Sequence, residues 1–216
     1  MHLKRQEIPK SWPVYRKGTK YVVRPNSDSE TGIPLLLILR DMLKLVQNRK
    51  EAKRSIFLKQ ILLNSKIPRD EKSSVLLFDT ISLIPEKKSY RLDLSEKGKF
   101  ELKEIKEQET GKKIIKVIDK RILRGKKIQL NLQDGRNILS DIKCNVNDSV
   151  LVNFKEKTIE KCLPLKENAK VAIFAGKHSG KRGNIKAINK EKKIVELETD
   201  SKEKINVLIK QIIITE

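Results

Sequence analysis

Cysteine and aromatic residues are scarce in this chain of 216 residues, which contains 2 Cys, 1 Trp, 3 Tyr and 5 Phe. Cys144 and Cys162 are too few and too far apart in the sequence for a disulfide framework or a CxxC zinc site. We expect two reduced, apolar side chains and no bound metal or cofactor. The longest apolar run, residues 33–39, is far shorter than the ~18 residues that span a bilayer. The N-terminus lacks the apolar core of a signal peptide, which predicts a cytoplasmic protein.

Acidic residues are also few compared with basic ones. The chain has 49 Lys and Arg against 28 Asp and Glu, a net charge of +21. The excess is +9 in residues 1–80, +7 in 81–165 and +5 in 166–216, so no single tail carries it. Such a chain repels itself and attracts nucleic acid or an anionic membrane. With 38% hydrophobic residues it can still build apolar cores, and its length predicts two or three small domains.

Residues 1–25 are predicted to form an irregular basic arm, because three prolines interrupt any long helix. A short strand is predicted at residues 21–23. The arm contains seven basic residues: Lys4, Arg5, Lys10, Arg16, Lys17, Lys20 and Arg24. Between them stand Trp12, Tyr15 and Tyr21. Basic side chains pair with phosphates and rings stack on unpaired bases, so we predict that the basic residues and Trp12 bind RNA. The alternative for the rings is that they pin the arm onto its own domain.

Two basic helices are predicted next. The first covers residues 35–48, with Pro34 in the first turn, and places Arg40 and Lys44 on one stripe. The second covers residues 49–60 and carries a further set of candidate RNA-binding residues: Arg49, Lys50, Lys53 and Arg54. Short strands joined by turns follow at residues 61–63 and 75–83, and Lys66 and Arg69 in these turns extend the predicted basic surface. Ordinary solvated helix faces look similar, so the pattern alone does not decide.

The middle of the chain reads as a β-region. Hairpins are predicted at residues 90–102 and around residues 128–133, where Asp134-Gly135 suits a type I′ turn. Further strands are predicted at 114–118 and 150–154. Four acids stand isolated in turn-like surroundings, which predicts turn and cap roles and gives no catalytic constellation: Asp119, Asp134, Asp141 and Asp148.

Near the C-terminus, glycines at 176, 180 and 183 lie in a loop between two predicted strands. They let the chain double back and present Lys177, His178, Lys181 and Arg182, which we predict to contact RNA. A phosphate-binding GxxxxGK[ST] loop is not favoured, because Gly180-Lys181 is followed by Arg182 and the flanks alternate as strands do. The spacing also fails for a dinucleotide fingerprint. His178 has no partner acid or base nearby in sequence, which favours a phosphate or solvent contact.

These segments resemble known modules. The order helix, basic helix, strand, basic turn, strand over residues 33–83 resembles the S-four RNA-binding domain, and the glycine pattern resembles the KOW motif. The whole chain resembles the S-four-e (S4e, or eS4) family of small-subunit ribosomal proteins, in its archaeal form. The likeness is strongest in the glycines of the KOW motif and in five segments: residues 2–12, 34–44, 78–81, 130–137 and 146–150. Asn64-Ser65 departs from the family, in which a Gly-containing turn is usual, as does Leu77 where Gly often stands.

The resemblance implies an α+β fold, mostly β, in four parts: an arm (1–32), an S-four-like domain of two short helices and a small sheet (33–85), a central β-domain (86–165) and a KOW barrel of the SH3 type (166–216). It implies a structural, non-enzymatic constituent of the cytoplasmic small ribosomal subunit that binds small-subunit ribosomal RNA and neighbouring ribosomal proteins in translation. Two alternatives stay open. One is a KOW-containing transcription elongation factor, and the other is an rRNA-modifying enzyme with an S-four domain.

Overall fold

The computed structural model describes residues 2–27, 29–125, 127–140, 142–189 and 191–215. Within these ranges the chain is an α+β protein, mostly β, which confirms the predicted class. It divides into two compact units, one formed by Met1–Ser95 with Lys99–Gly111 and the other by Glu96–Gly98 with Lys112–Glu216. No described helix combines the length and apolar character needed to traverse a lipid bilayer.

The first unit contains three small antiparallel sheets in its described residues. Two are strand pairs, β1 (Leu3–Lys4) with β2 (Tyr21–Val22), and β3 (Gly32–Pro34) with β5 (Ser74–Leu76). The third has the strand order β4-β6-β7-β8. Its strands are β4 (Ile61–Leu63), β6 (Thr80–Leu83), β7 (Lys88–Leu94) and β8 (Phe100–Ile105). The first predicted hairpin is formed by β7 and β8, and β7 also pairs with β6. The domain limit predicted at residue 85 therefore falls between two paired strands of one sheet.

The first helical segment is shorter than predicted. It consists of α1 (Leu35–Leu37), for which Pro34 is the N-cap residue, and a π-helical continuation at Ile38–Met42. The side chains of residues 35–39 are all buried, at 0–1% exposure, so the segment has no solvent face there. Lys44 then takes a positive φ of 55° and ends it, so the prediction of a helix through residue 48 is wrong.

The second helix, α2 (Arg49–Phe57), begins with a capping box in which Asn48 and Glu51 satisfy each other's backbone N–H groups. It ends three residues before the predicted limit at Gln60. Lys59, with φ 58°, donates its N–H to the carbonyl of Ile56, and Gln60 donates to that of Ser55. This pair of bonds is a Schellman motif with lysine in the place usually held by glycine.

The second unit contains two five-stranded antiparallel sheets in its described residues. The first has the order β11-β10-β9-β12-β13, with β9 (Lys112–Ile122), β10 (Ile128–Leu132), β11 (Asn137–Leu139), β12 (Ser149–Asn153) and β13 (Thr158–Leu163). The second has the order β17-β16-β15-β14-β18, with β14 (Lys170–Ile173), β15 (Arg182–Asn189), β16 (Ile194–Thr199), β17 (Lys204–Leu208) and β18 (Ile212–Ile214). Each sheet covers its own cluster of buried apolar side chains.

A buried lysine links the two sheets of this unit. The Lys116 amine, on β9, donates to the carbonyls of Ile209 and Ile212, the latter at 3.1 Å, on the segment that leads into β18. Its side chain is almost fully covered, and this burial lowers its pKa to about 8. Ser149 Oγ accepts the N–H of Ile214 at 3.0 Å. These bonds fix the last strand against β9 and β12.

The turn at residues 133–135 corrects one prediction. Gly135 has a positive φ of 82°, but Asp134 does not, so the turn is not of type I′. The N–H of Gly135 donates to the carbonyl of Leu132, and the N–H of Leu132 donates to the carbonyl of Arg136. These two bonds close a three-residue hairpin loop with glycine at its left-handed position. Asp134 accepts the N–H of Arg136, and its second oxygen lies 3.3 Å from the Arg136 guanidinium.

The other isolated acids also have structural roles. Asp148 accepts the backbone N–H groups of Asn145 and Leu165, and Asp119 accepts that of Lys120. Asp141 lies outside the described residues. Both thiols are free, and burial beside Cys144 and Asp148 raises the pKa of Cys162 to about 12. Cys144 is buried, and the Cys162 thiol donates to Asp148 at 3.9 Å.

Candidate nucleic-acid interface

Arg5 organises the N-terminal arm. Its guanidinium donates to the carbonyls of Thr19 and Tyr15, at 2.7 and 2.5 Å, and to the Thr19 hydroxyl at 3.0 Å. Gly18 lies against this group, and a Cβ there would be 3.0 Å from the guanidinium carbon. Three N–H donors of the guanidinium are therefore occupied by hydrogen bonds within the arm. Arg5 holds the loop of residues 15–19 in shape, and only its remaining N–H donors can bind a phosphate.

The other predicted cations of the arm are exposed: Lys4, Lys10, Arg16, Lys17, Lys20 and Arg24. Among the rings, Tyr15 is 90% exposed and Tyr21 is 48% exposed, with the Lys20 amine 5.4 Å from the Tyr21 ring. Trp12, by contrast, is 3% exposed. Its ring has no free face for a base, so the packing alternative describes Trp12 better than the predicted stacking role.

One buried acid orders the cations of α2. Glu71, whose side chain is 1% exposed, accepts Arg49 Nε at 2.7 Å, and Lys53 Nζ lies 4.0 Å from the same oxygen. Burial opposes ionisation of this carboxyl, but the bonds from Arg49 and from nearby groups outweigh it and lower its pKa. The Glu71 carbonyl also accepts the N–H of Leu36. The exposed Arg69, two residues before Glu71, is therefore on a loop that is tied to both helical segments.

The remaining cations of α2, Lys50 and Arg54, are exposed. Arg40 is half-buried and forms two bonds, of 2.9 and 3.0 Å, with the adjacent Asp41. The bond with Asp41 raises the pKa of Arg40. Part of its charge is thus compensated within the chain. Lys44, which has a left-handed backbone conformation and ends the first helical segment, is exposed.

A buried network holds the turn that presents Lys66. Asn64 and Ser65 both have positive φ, of 50° and 62°, so this non-glycine pair makes a tight two-residue turn. The buried Asn64 amide donates to Asp79 at 2.8 Å and accepts the N–H of Thr80 at 3.0 Å. Lys66, exposed just after the turn, exchanges backbone hydrogen bonds with Leu63. The departure from a glycine turn therefore leaves the turn in place.

In the second unit, the glycine loop presents its cations at different degrees of exposure. Lys177 and Arg182 are exposed, and His178 is half-buried. Lys181 donates to Glu203 at 2.7 Å, and this bond lowers the pKa of Glu203. Gly176 and Gly180 have φ values of 90° and 92°, as a loop that doubles back requires.

Gly183 has a different role from the other two glycines. It lies in β15, opposite Val171 and Thr199, and no left-handed φ is involved. A Cβ there would stand 2.2 Å from the carbonyl oxygen of Glu198 and 2.8 Å from the Thr199 Cα. Glycine is therefore required because a neighbouring strand approaches closely.

The comparisons with known proteins agree with one another. The model of Ribosomal family S4e matches residues 86–159, and that of the RS4NT (NUC023) domain matches residues 1–27. Small ribosomal subunit protein eS4 of Methanocella arvoryzae is 36% identical over 190 residues, covering 87% of this chain and 80% of the relative. The eS4 protein of Archaeoglobus fulgidus is 38% identical over 189 residues, with the same coverage. The chain belongs to the S4e family of ribosomal proteins.

The fold agrees with this S4e assignment. The crystal structure of the 30S ribosomal protein S4e from Thermoplasma acidophilum matches with a TM-score of 0.72 and 27% identity, over 85% of this chain and 94% of that one. Within the described residues of this S4e chain, no group of three or more His, Cys, Asp or Glu side chains is placed to hold a metal ion.

No pattern in the sequence indicated which residues of this S4e chain position the cations. Glu71 is 22 residues from Arg49, and Asn64 is 15 residues from Asp79, so no helical or strand period connects them. The only available signals were the acid pair Asp70-Glu71 next to a turn and an Asn-Ser pair that suits a tight turn. The predicted cations of the arm and helices lie in the first unit, and those of the glycine loop lie in the second.

Proposed function

We propose that this chain is a structural constituent of the small ribosomal subunit that binds small-subunit rRNA, beside other ribosomal proteins in the cytoplasm, and takes part in translation. Membership of the S4e family carries the proposal, because the curated relatives are named as small ribosomal subunit proteins. The family match favours neither the transcription factor nor the modifying enzyme. The role proposed is non-enzymatic.

The proposed RNA-binding residues form three separate sets, two in the first unit and one in the second. The first is the exposed cations of the arm, the second is the helical and turn set around α2, and the third is the glycine loop with Lys177 and Arg182. Most of these side chains are exposed. A polyanion is the partner that stabilises such a surface. Because 37 of the 49 basic residues are lysines, we propose that backbone phosphates are the main contacts.

The proposal includes the four-part layout: an arm at 1–32, an S-four-like domain at 33–85 whose sheet β7 and β8 extend, a central β-domain at 86–165 and a KOW barrel of the SH3 type at 166–216. The strand order β17-β16-β15-β14-β18, in which the last strand pairs with the first, supports a barrel-like C-terminal module. The close strand contact at Gly183 supports the same view, since small barrels need tight crossings. The barrel and the limits of the parts are inferences from the family resemblance.

A salt titration of RNA binding tests the function. The full chain is titrated with an in vitro transcript of an archaeal small-subunit rRNA between 50 and 400 mM KCl. We expect affinity to fall steeply and linearly on logarithmic axes, because bound cations release counterions. The double variant Lys50→Ala with Arg54→Ala should make the slope shallower by about 1.4–1.8, that is about 0.7–0.9 for each phosphate contact.

The matched control is Lys106→Ala with Lys155→Ala, two exposed lysines outside the proposed surface. It removes the same charge, and we expect it to leave the slope unchanged. Equal affinity at low and high salt, or an equal effect of both double variants, would contradict the proposal.

A further inference from the structure

An exposed phenylalanine ends the basic helix α2. Phe57 is 83% exposed, although the helix buries Ala52 at 0% and Ile56 at 8% on its other side. Single exposed apolar residues are ordinary on protein surfaces. Phe57 differs from such residues by its surroundings, because it stands on the face that carries the cations proposed to bind RNA.

Helix geometry places the ring within this basic stripe. At about 100° per residue, Lys50, Lys53 and Arg54 project within about 60° of the direction of Phe57. All three are exposed, with the Lys53 side chain 56% exposed. Glu51, the one acid within α2, projects about 120° away from Phe57, and its carboxylate is occupied by the N–H groups of Gln47 and Asn48. The three charged side chains that share this face of α2 with the ring are therefore all basic.

The charge around the ring selects its partner. An apolar segment of another protein would have to bring acidic residues to this face, whereas RNA supplies both a negative backbone and flat apolar bases. Cations that hold the backbone next to a ring that stacks on a base are the usual combination for unpaired RNA. We infer that Phe57 stacks on an unpaired nucleobase of the RNA that Lys50, Lys53 and Arg54 hold. This inference rests on the proposed function.

The variant Phe57→Ala tests the inference in the full chain, with the same archaeal rRNA transcript as the probe. We expect about 5- to 150-fold weaker binding, because a base stacked on an aromatic side chain contributes on that scale when the ring is removed. The salt slope should stay at its wild-type value, because no phosphate contact is lost. Phe57→Trp should keep the affinity. Photocrosslinking with 4-thiouridine in the transcript should label a peptide containing residue 57.

The neighbouring Leu58, which is 53% exposed, provides the matched control. Leu58→Ala should bind the transcript as the wild type does. If Phe57→Ala binds like the wild type while the Lys50 and Arg54 variant changes the slope, the inference is wrong and the proposed function stands. If Phe57→Ala and Leu58→Ala leave RNA affinity intact but both weaken assembly into the subunit, the face binds a protein and the inference is also wrong. If the wild type shows no salt-dependent binding, the proposed function itself fails.

Discussion

The substitution Glu71→Gln should destabilise the first unit measurably. It keeps the shape of a side chain that is 1% exposed but removes the charge that accepts Arg49 at 2.7 Å and faces Lys53 at 4.0 Å. A hydrogen bond to a charged group contributes about 1.5–3 kcal/mol. Because Arg49 is 50% exposed, water can solvate its guanidinium once the charge on Glu71 is gone, so the larger penalty of an isolated buried charge does not apply. We expect a loss of about 1.5–3 kcal/mol in the free energy of unfolding.

Trp12 is the only tryptophan of the chain and is buried in the first unit, so its fluorescence during urea unfolding reports on that unit. The matched control is Glu109→Gln. Glu109 pairs with Arg91 at 3.3 Å but is 54% exposed, and such a surface pair contributes about 1 kcal/mol or less. Equal losses for the two variants would refute the reasoning that burial of Glu71 sets its contribution.

The pH dependence of the same difference gives a second test. The folded-state pKa of Glu71 is lowered, so its contribution is complete above the unfolded-state pKa, about 4.3, and is lost as the pH falls through the folded-state value. The wild type should therefore exceed Glu71→Gln in stability by its full margin at pH 6–7 and by less at pH 3. A margin that grows on acidification would contradict the assignment.

Two further predictions concern the second unit. Gly183→Ala should destabilise this unit by about 1–3 kcal/mol or more, because the new methyl group would press on the backbone at Glu198. Amide hydrogen exchange in β15 and β16 should become faster. Unchanged exchange would count against the close approach of the two strands. The pKa of Lys116 is lowered to about 8, so this amine binds its proton more weakly in the folded state than in the unfolded state. Wild-type stability, measured by urea unfolding, should therefore rise relative to Lys116→Met between pH 8 and 10, by up to about 1.4 kcal/mol per pH unit. A stability difference that falls over this pH range would contradict the prediction.

The class of the fold and most strands could be predicted because they depend on local patterns. Alternation at residues 128–133 identified a strand, and Asn48 with Glu51 fits the cap at which the second helix begins. The first helix could not be placed correctly, because residues 35–39 are apolar on every side and carry no period that would locate its end.

Several details depend on contacts between distant segments. Phe78 has a positive φ of 63°, which is unusual for a bulky residue, and its N–H donates to Leu92 across the sheet. Glu71 and Asn64 position the cations through bonds to residues 22 and 15 positions away. Composition predicted the charge of the candidate surface, but not that Trp12 is covered or that Phe57 is exposed, because both depend on tertiary packing.

Sedimentation of a cell extract tests the central claim most directly. The chain is detected by an antibody across a sucrose gradient at low salt and again at about 1 M KCl, where surface electrostatic contacts are screened over ~3 Å. We predict migration with the small ribosomal subunit at low salt and release at high salt. Migration with RNA polymerase, or at the top of the gradient under both conditions, would contradict the account.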